Sequence, residues 1–148
     1  MMIHHFLLII HLLAASIWVG GHLILSIRYL PKALKNRNIE IIKNFEKQYE
    51  PIGLPALLIL VGTGVLMAYQ YNVNFTSCFS FESNIEKVIS MKLLLLVLTL
   101  ILAIHARLFI IPKLVPEKII LMAVHIILVT LIGIAMLILG SFIRWGGF

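Results

Sequence analysis

The sequence predicts an all-α integral membrane protein, a four-transmembrane-helix antiparallel bundle with both termini outside. Three observations carry that prediction: four long apolar runs at about 1–27, 51–71, 88–112 and 118–143, a hydrophobic content of 61%, and basic residues concentrated in the first and third connections. Each run reaches roughly the 20 residues a helix needs to cross lipid. A soluble domain of this size buries only about two-thirds of its unfolded surface, so apolar side chains at this density would leave large exposed patches. A membrane barrel would show segments of about ten residues alternating apolar with polar, and the runs do not alternate. Helices remain, because lipid offers no partner to an unsatisfied backbone group.

Helix 1 opens Met1-Met2-Ile3-His4-His5 without a positively charged leader, and its apolar run is too long for a signal peptide, so it is read as a retained span. The connection that follows holds Arg28, Lys32, Lys35, Arg37, Lys43 and Lys47, which places it in the cytoplasm. Within it, Ile41, Ile42, Phe45 and Tyr49 recur at helical spacing and predict an amphipathic segment along the inner interface. Pro51 and Pro55 then open helix 2, where a missing backbone donor is tolerated. The second connection has Glu82 and Glu86 with no cation before Lys87, and it is read as external. Pro112 and Pro116 bracket a tight turn that makes helices 3 and 4 antiparallel neighbours, with Arg107, Lys113 and Lys118 on the inner side.

These charges fit a multi-pass protein of the inner, cytoplasmic membrane whose basic loop meets anionic lipid, and no nucleic-acid reader is visible. The single Cys78 allows no disulfide within the chain. The absence of repeats or low-complexity tracts makes residues 1–148 one domain. The oligomeric state is open, a homodimer included. In helix 2, Gly53, Gly62 and Gly64 thin one surface for close approach of a backbone or a flat cofactor, and Gly20-Gly21 invite the same reading in helix 1.

Histidine is the most informative residue, since an ionisable side chain inside a bilayer is expensive and is usually kept for a site. Of six histidines, His4 and His5 fall at the outer edge, while His11, His22, His105 and His125 fall within the spans. Counting from the basic ends, His22, His105 and His125 reach one depth from three helices, about one and a half to two turns above the inner surface. His11 precedes His22 by eleven residues, which returns it to nearly the same helix face about 16 Å nearer the outside, with Ala15 and Trp18 between. Met136 repeats that offset from His125 and predicts an outer site with His11. On helix 3, His105 lies opposite Lys92 and Thr99.

Imidazoles without carboxylates or thiolates nearby suit copper, zinc or haem iron, a redox metal being favoured, and argue against calcium, magnesium and iron–sulfur clusters. Bare copper would take three imidazoles, a count that His22, His125 and His105 meet, or imidazole with a Met thioether. Haem b would need one or two axial histidines, an apolar slot and cations for its propionates, for which Arg28 and Arg107 stand at the right level. A purely structural role, in which the histidines join helices by hydrogen bonds, is the third reading. No catalytic residue is expected, because the acids are read as lying in loops or at helix ends.

The stretches HLLAASIWVGGHLILSIRYLP (11–31), FEKQYEPIGLPALLILVGTG (45–64) and HARLFIIPKL (105–114) resemble the CopD family of copper resistance membrane proteins. The Trp18-x-Gly20-Gly21-His22 cluster and Phe45-Glu46-x-x-Tyr49-Glu50-Pro51 carry the likeness. The resemblance implies copper handling or uptake across the inner membrane, beside a periplasmic copper-binding partner. It also touches b-type cytochromes and the HemJ-type protoporphyrinogen oxidases, which would make the protein a haem oxidoreductase with an electron-transfer partner. The chain departs from larger CopD proteins in having neither further helices nor a Met-rich or Cys-based chelating segment.

Overall fold

A computed structural model describes residues 2–71, 73, 83–113 and 115–147. Helix α1 (Met2–Ile24) runs through a π turn (Leu25–Tyr29) into α2 (Leu30–Asn36), and the chain reverses at Arg37, whose left-handed backbone (φ 47°) ends that helix. A 31-residue helix α3 (Glu40–Gln70) returns, α4 (Asn84–His105) continues through a second π turn (Ala106–Ile110), and α5 (Ile119–Arg144) completes the bundle. Four helical stretches, Met2–Asn36, Glu40–Gln70, Asn84–Lys113 and Pro116–Arg144, are long and apolar enough to cross a membrane. Together they make an all-α multi-pass membrane protein. No strand occurs among the described residues. Cys78 and Glu82 lie outside the described residues.

Both described ends sit with the second connection, away from the basic one. The His4 ring meets Tyr71 edge-on at 5.5 Å, and Gly147 lies against Asn84. At that end Ser83 and Glu86 form a reciprocal capping box, which satisfies two backbone donors of α4. Burial differs between the helices: of the apolar 18-residue stretch within each span, 33% of residues are buried in the α5 span but only 11% in the α4 span, so α5 is central and α4 peripheral. Leu94, Ile101, Ile120 and Leu131 point outward, as lipid-facing residues do. The main core, from Leu25, Leu30, Ala33, Ile42, Ile110, Ile119, Met122, Ala123 and Ile126, lies toward the basic connections.

The expected break between an amphipathic segment and a helix opened by Pro51 does not occur. Residues 40–70 form one helix with Pro51 and Pro55 inside it. A proline there removes a backbone donor and crowds the carbonyl four residues back, but both prolines lie on the exposed face, where the backbone can open away from its neighbours. The helix is about 46 Å long, longer than the roughly 30 Å of hydrocarbon it crosses. Its first turns therefore extend the bundle past the apolar layer on the basic side.

Helices α1 and α3 pack antiparallel along a seam of seven-residue steps. His4 Nδ1 meets Gln70 Oε1 at 2.6 Å, and one step along His11 Nδ1 meets Thr63 Oγ1 at 2.7 Å. Two further steps along α3, Tyr49 donates its hydroxyl to the carbonyls of Ile17 (2.9 Å) and Trp18 (3.1 Å). Gly21 and Gly53 form the slot for the Tyr49 ring, since a Cβ at either would run into it. On the other side of α1, Ser26 and Thr130 share a 2.6 Å bond, and Thr130 donates to the carbonyls of Ile126 (2.7 Å) and, more weakly, His22 (3.3 Å).

Candidate metal site

A cavity of about 340 Å³ opens between α1, α3, α4 and α5 toward the basic side, and both His22 and His125 line it. Its walls are apolar over α3 and α4, from Leu54, Leu57, Leu58, Leu100 and Ala103. The polar groups are few: His22, Glu46, Tyr49, Glu50, Arg107 and His125, with Trp18 and Met122 also in the lining.

The two imidazoles are held in the same way. His22 Nδ1 lies 2.9 Å from the carbonyl of Trp18, and His125 Nδ1 lies 3.1 Å from the carbonyl of Leu121, each four residues back on its own helix. A carbonyl can only accept, so Nδ1 carries the proton and Nε2 presents a lone pair, the arrangement by which proteins orient a ligating imidazole. Aromatic rings fix His22 further. Trp18 lies at 4.4 Å between ring centroids, Tyr49 meets it edge-on at 6.0 Å, and Phe45 stacks on Tyr49 at 5.4 Å.

His105 is not part of the lining and joins this set through His125. Its Nδ1 lies 3.0 Å from His125 Nε2 and donates to it, and the rings stack at 5.1 Å. The expected trio of imidazoles is thus resolved as a bonded pair, His105 and His125, with His22 across the same cavity. Among the described residues no group of three or more His, Cys, Asp or Glu side chains is close enough together to hold a metal ion.

The other candidate residues fall elsewhere. His11 is half-buried in the α1–α3 seam, bonded to Thr63, which itself donates to the carbonyl of Ile59 at 2.6 Å. A Cβ at Gly64 would make ordinary contact with His11, whereas one at Gly62 or Gly20 would meet nothing within 4 Å. Gly21 admits the Tyr49 ring rather than a flat cofactor. Arg28 is exposed in the first π turn, and Met136 is half-buried on α5 without lining the cavity. Arg107 does line it, but its guanidinium is engaged with Glu50 at 2.5 Å.

Three lining residues went unread in the sequence. Glu46 and Glu50 do not sit in a loop or at a helix end; they are in α3, one turn apart, and line the cavity. The signal was the doubled Phe-Glu and Tyr-Glu at a spacing of four, which puts both carboxylates on one face once the helix is continuous. Met122, 2% exposed, is the methionine that lines the cavity with His125, whereas Met136, expected above it at an outer site with His11, does not line it. Its spacing of three from His125 places both on one face of α5.

A family model described as copper resistance protein D matches residues 43–145. That stretch includes Glu46, Glu50, His105, Arg107, Met122 and His125 and leaves His11 and His22 outside it. No curated protein and no solved structure matches this chain.

Proposed function

The chain belongs to the copper resistance protein D family, and from that premise we propose that it handles copper at the inner membrane, taking a copper ion as cargo onto His22 and His125. The observation that supports this most is the pair of imidazoles lining one cavity, each with its Nδ1 proton on a backbone carbonyl and its lone pair on Nε2, that of His125 accepting from His105. Imidazole and thioether are donors that copper accepts, and Met122 adds the second kind. His105 supports the site by holding His125 Nε2 until the ion replaces its proton, and His11 belongs to the seam above. The basic connection faces the cytoplasm and the termini face outward, where a periplasmic copper-binding protein would meet the chain.

The test is elemental analysis and an absorption spectrum of the purified protein in detergent after loading with Cu(I). Stoichiometric copper without a Soret band is expected. His22→Ala or His125→Ala should remove the copper while membrane insertion persists, and His4→Ala or His5→Ala should not change it. A reduced b-type haem spectrum, or full copper content in both inner variants, overturns the assignment.

A further inference from the structure

A second and larger cavity, about 960 Å³, opens on the basic side of the bundle between the first turns of α3 and the end of α4. Lys43, Lys47, Pro51, Pro55 and Pro112 belong to it alone. The wall it shares with the histidine cavity is made by Glu46, Glu50, Leu54, Arg107 and Ile111. All the charged residues of that wall are Glu46, Glu50 and Arg107, and two of them are locked together: Arg107 Nη1 lies 2.5 Å from Glu50 Oε1.

Resting on the copper reading above, we infer that the Glu50–Arg107 ion pair is the charge gate through which a copper ion passes between the histidine cavity and the basic-side vestibule. A positive ion crossing this wall meets low-dielectric leucine and isoleucine on one side and carboxylates on the other, a setting in which local charge controls passage. With the pair closed, Arg107 occupies the Glu50 carboxylate and Glu46 is the acid left facing the ion. When Arg107 swings toward the vestibule, where its side chain is already 57% exposed, both carboxylates face the path and the repelling charge has left it. Each step exchanges one oxygen or nitrogen donor for another, and the ion keeps its oxidation state.

The wall is also tied to the site. Arg107 sits in the π turn Ala106–Ile110, which begins at the residue after His105. An ion taken up on His125 Nε2 displaces the His105 Nδ1 proton from its 3.0 Å contact and frees the His105 ring at the entrance to that turn. Single π turns inside α-helices recur at functional sites because their backbone ladder is locally loosened.

The experiment is the initial rate of Cu(I) entry into liposomes carrying the full chain and an entrapped Cu(I)-chelating dye, with bound copper and elution profile measured on the same preparations. Glu50→Gln removes the ion-pair partner of Arg107, leaving Glu46 as the one acid beside it in the wall, and should slow entry about tenfold, the scale on which local charge alters the passage of an ion. Arg107→Gln removes the repelling charge and should leave entry at or above the wild-type rate. The Glu50→Gln/Arg107→Gln double variant should recover most of the loss, and Arg107→Lys should stay near wild type. If the two single variants slow entry equally and the double is no faster, the pair merely fastens α3 to α4 and the gate is wrong. Wild-type rates in every variant overturn it as well. A wild-type chain that binds copper but admits none sinks the gate alone, whereas one that binds no copper sinks the copper reading itself.

Discussion

The end of the bundle near the termini and the end near the basic connections use the same residue on the same helix to opposite effect. His11 and His22 both descend from α1, both are half-buried, and both use Nδ1 in a hydrogen bond. Across from His11 stands Thr63, on a stretch of α3 close enough that a Cβ at Gly64 would touch the ring. Across from His22 the helices part, leaving a cavity with His125, Met122 and two carboxylates. A histidine becomes a candidate ligand when the opposing helix leaves room for an ion, and a packing group when it supplies a hydroxyl instead.

The sharpest break in that comparison is copper content. His22→Ala should empty the site, because one of the two anchored Nε2 donors is lost and, among the described residues, no cluster of three His, Cys, Asp or Glu stands ready to replace it. His11→Ala should leave it full and lower the midpoint of thermal unfolding slightly, since one interhelical hydrogen bond in lipid contributes about 0.6 kcal/mol. Equal losses of copper in the two variants would show that the seam and the cavity are one site.

Next in size is packing within the α1–α3 seam. Gly21→Val should force the Tyr49 ring from its slot and cost about 1–3 kcal/mol, the range for overfilling a packed interior, with copper lost as Trp18 and His22 shift. Gly20→Ala, one residue earlier, meets nothing within 4 Å and should be neutral or raise helix stability by up to about 1 kcal/mol. Thermal unfolding in detergent distinguishes them, and similar behaviour of the two variants would mean that Tyr49 does not occupy that slot.

The fold was legible because lipid imposes coarse demands on sequence. Length and apolarity located four helices, and the prolines at 112 and 116 marked the connection between α4 and α5. The site was legible only as a depth. Residue counts placed His22, His105 and His125 near one level, but they could not give the rotation of each helix, and the structure pairs His105 with His125 rather than closing a trio. The acids were misplaced for a related reason: reading Pro51 as a helix start put Glu46 and Glu50 in a loop, whereas the helix runs through both prolines, which lie on its exposed face. Met136 was matched to His125 by an eleven-residue offset, while Met122, one turn away, lines the cavity.

Orientation can be checked independently. Reporter fusions at Lys43 and Ser83 should report cytoplasm and exterior respectively, as the excess of Lys and Arg in the first and third connections requires. The reverse result would leave the geometry of the site untouched and turn the vestibule to face the periplasm.

The smallest expected effect isolates one hydroxyl at the boundary between the two regions. The carbonyl of Trp18 accepts from both Tyr49 and His22, at 3.1 and 2.9 Å. Tyr49→Phe removes the first donor, keeps the ring between Gly21 and Gly53, and leaves His22 as the remaining side-chain donor to that carbonyl. The loss should be about 0.6 kcal/mol, the average for a side-chain hydrogen bond between membrane helices. Copper stoichiometry should not change, because the tautomer of His22 is set by the bond that persists. Copper affinity measured by chelator competition should move by no more than a few-fold, less than the 10–100-fold expected when the partner that orients a metal ligand is itself removed. A tenfold or larger drop would instead make Tyr49 part of the copper site, and the line between packing seam and binding cavity would have to be drawn one turn closer to the termini.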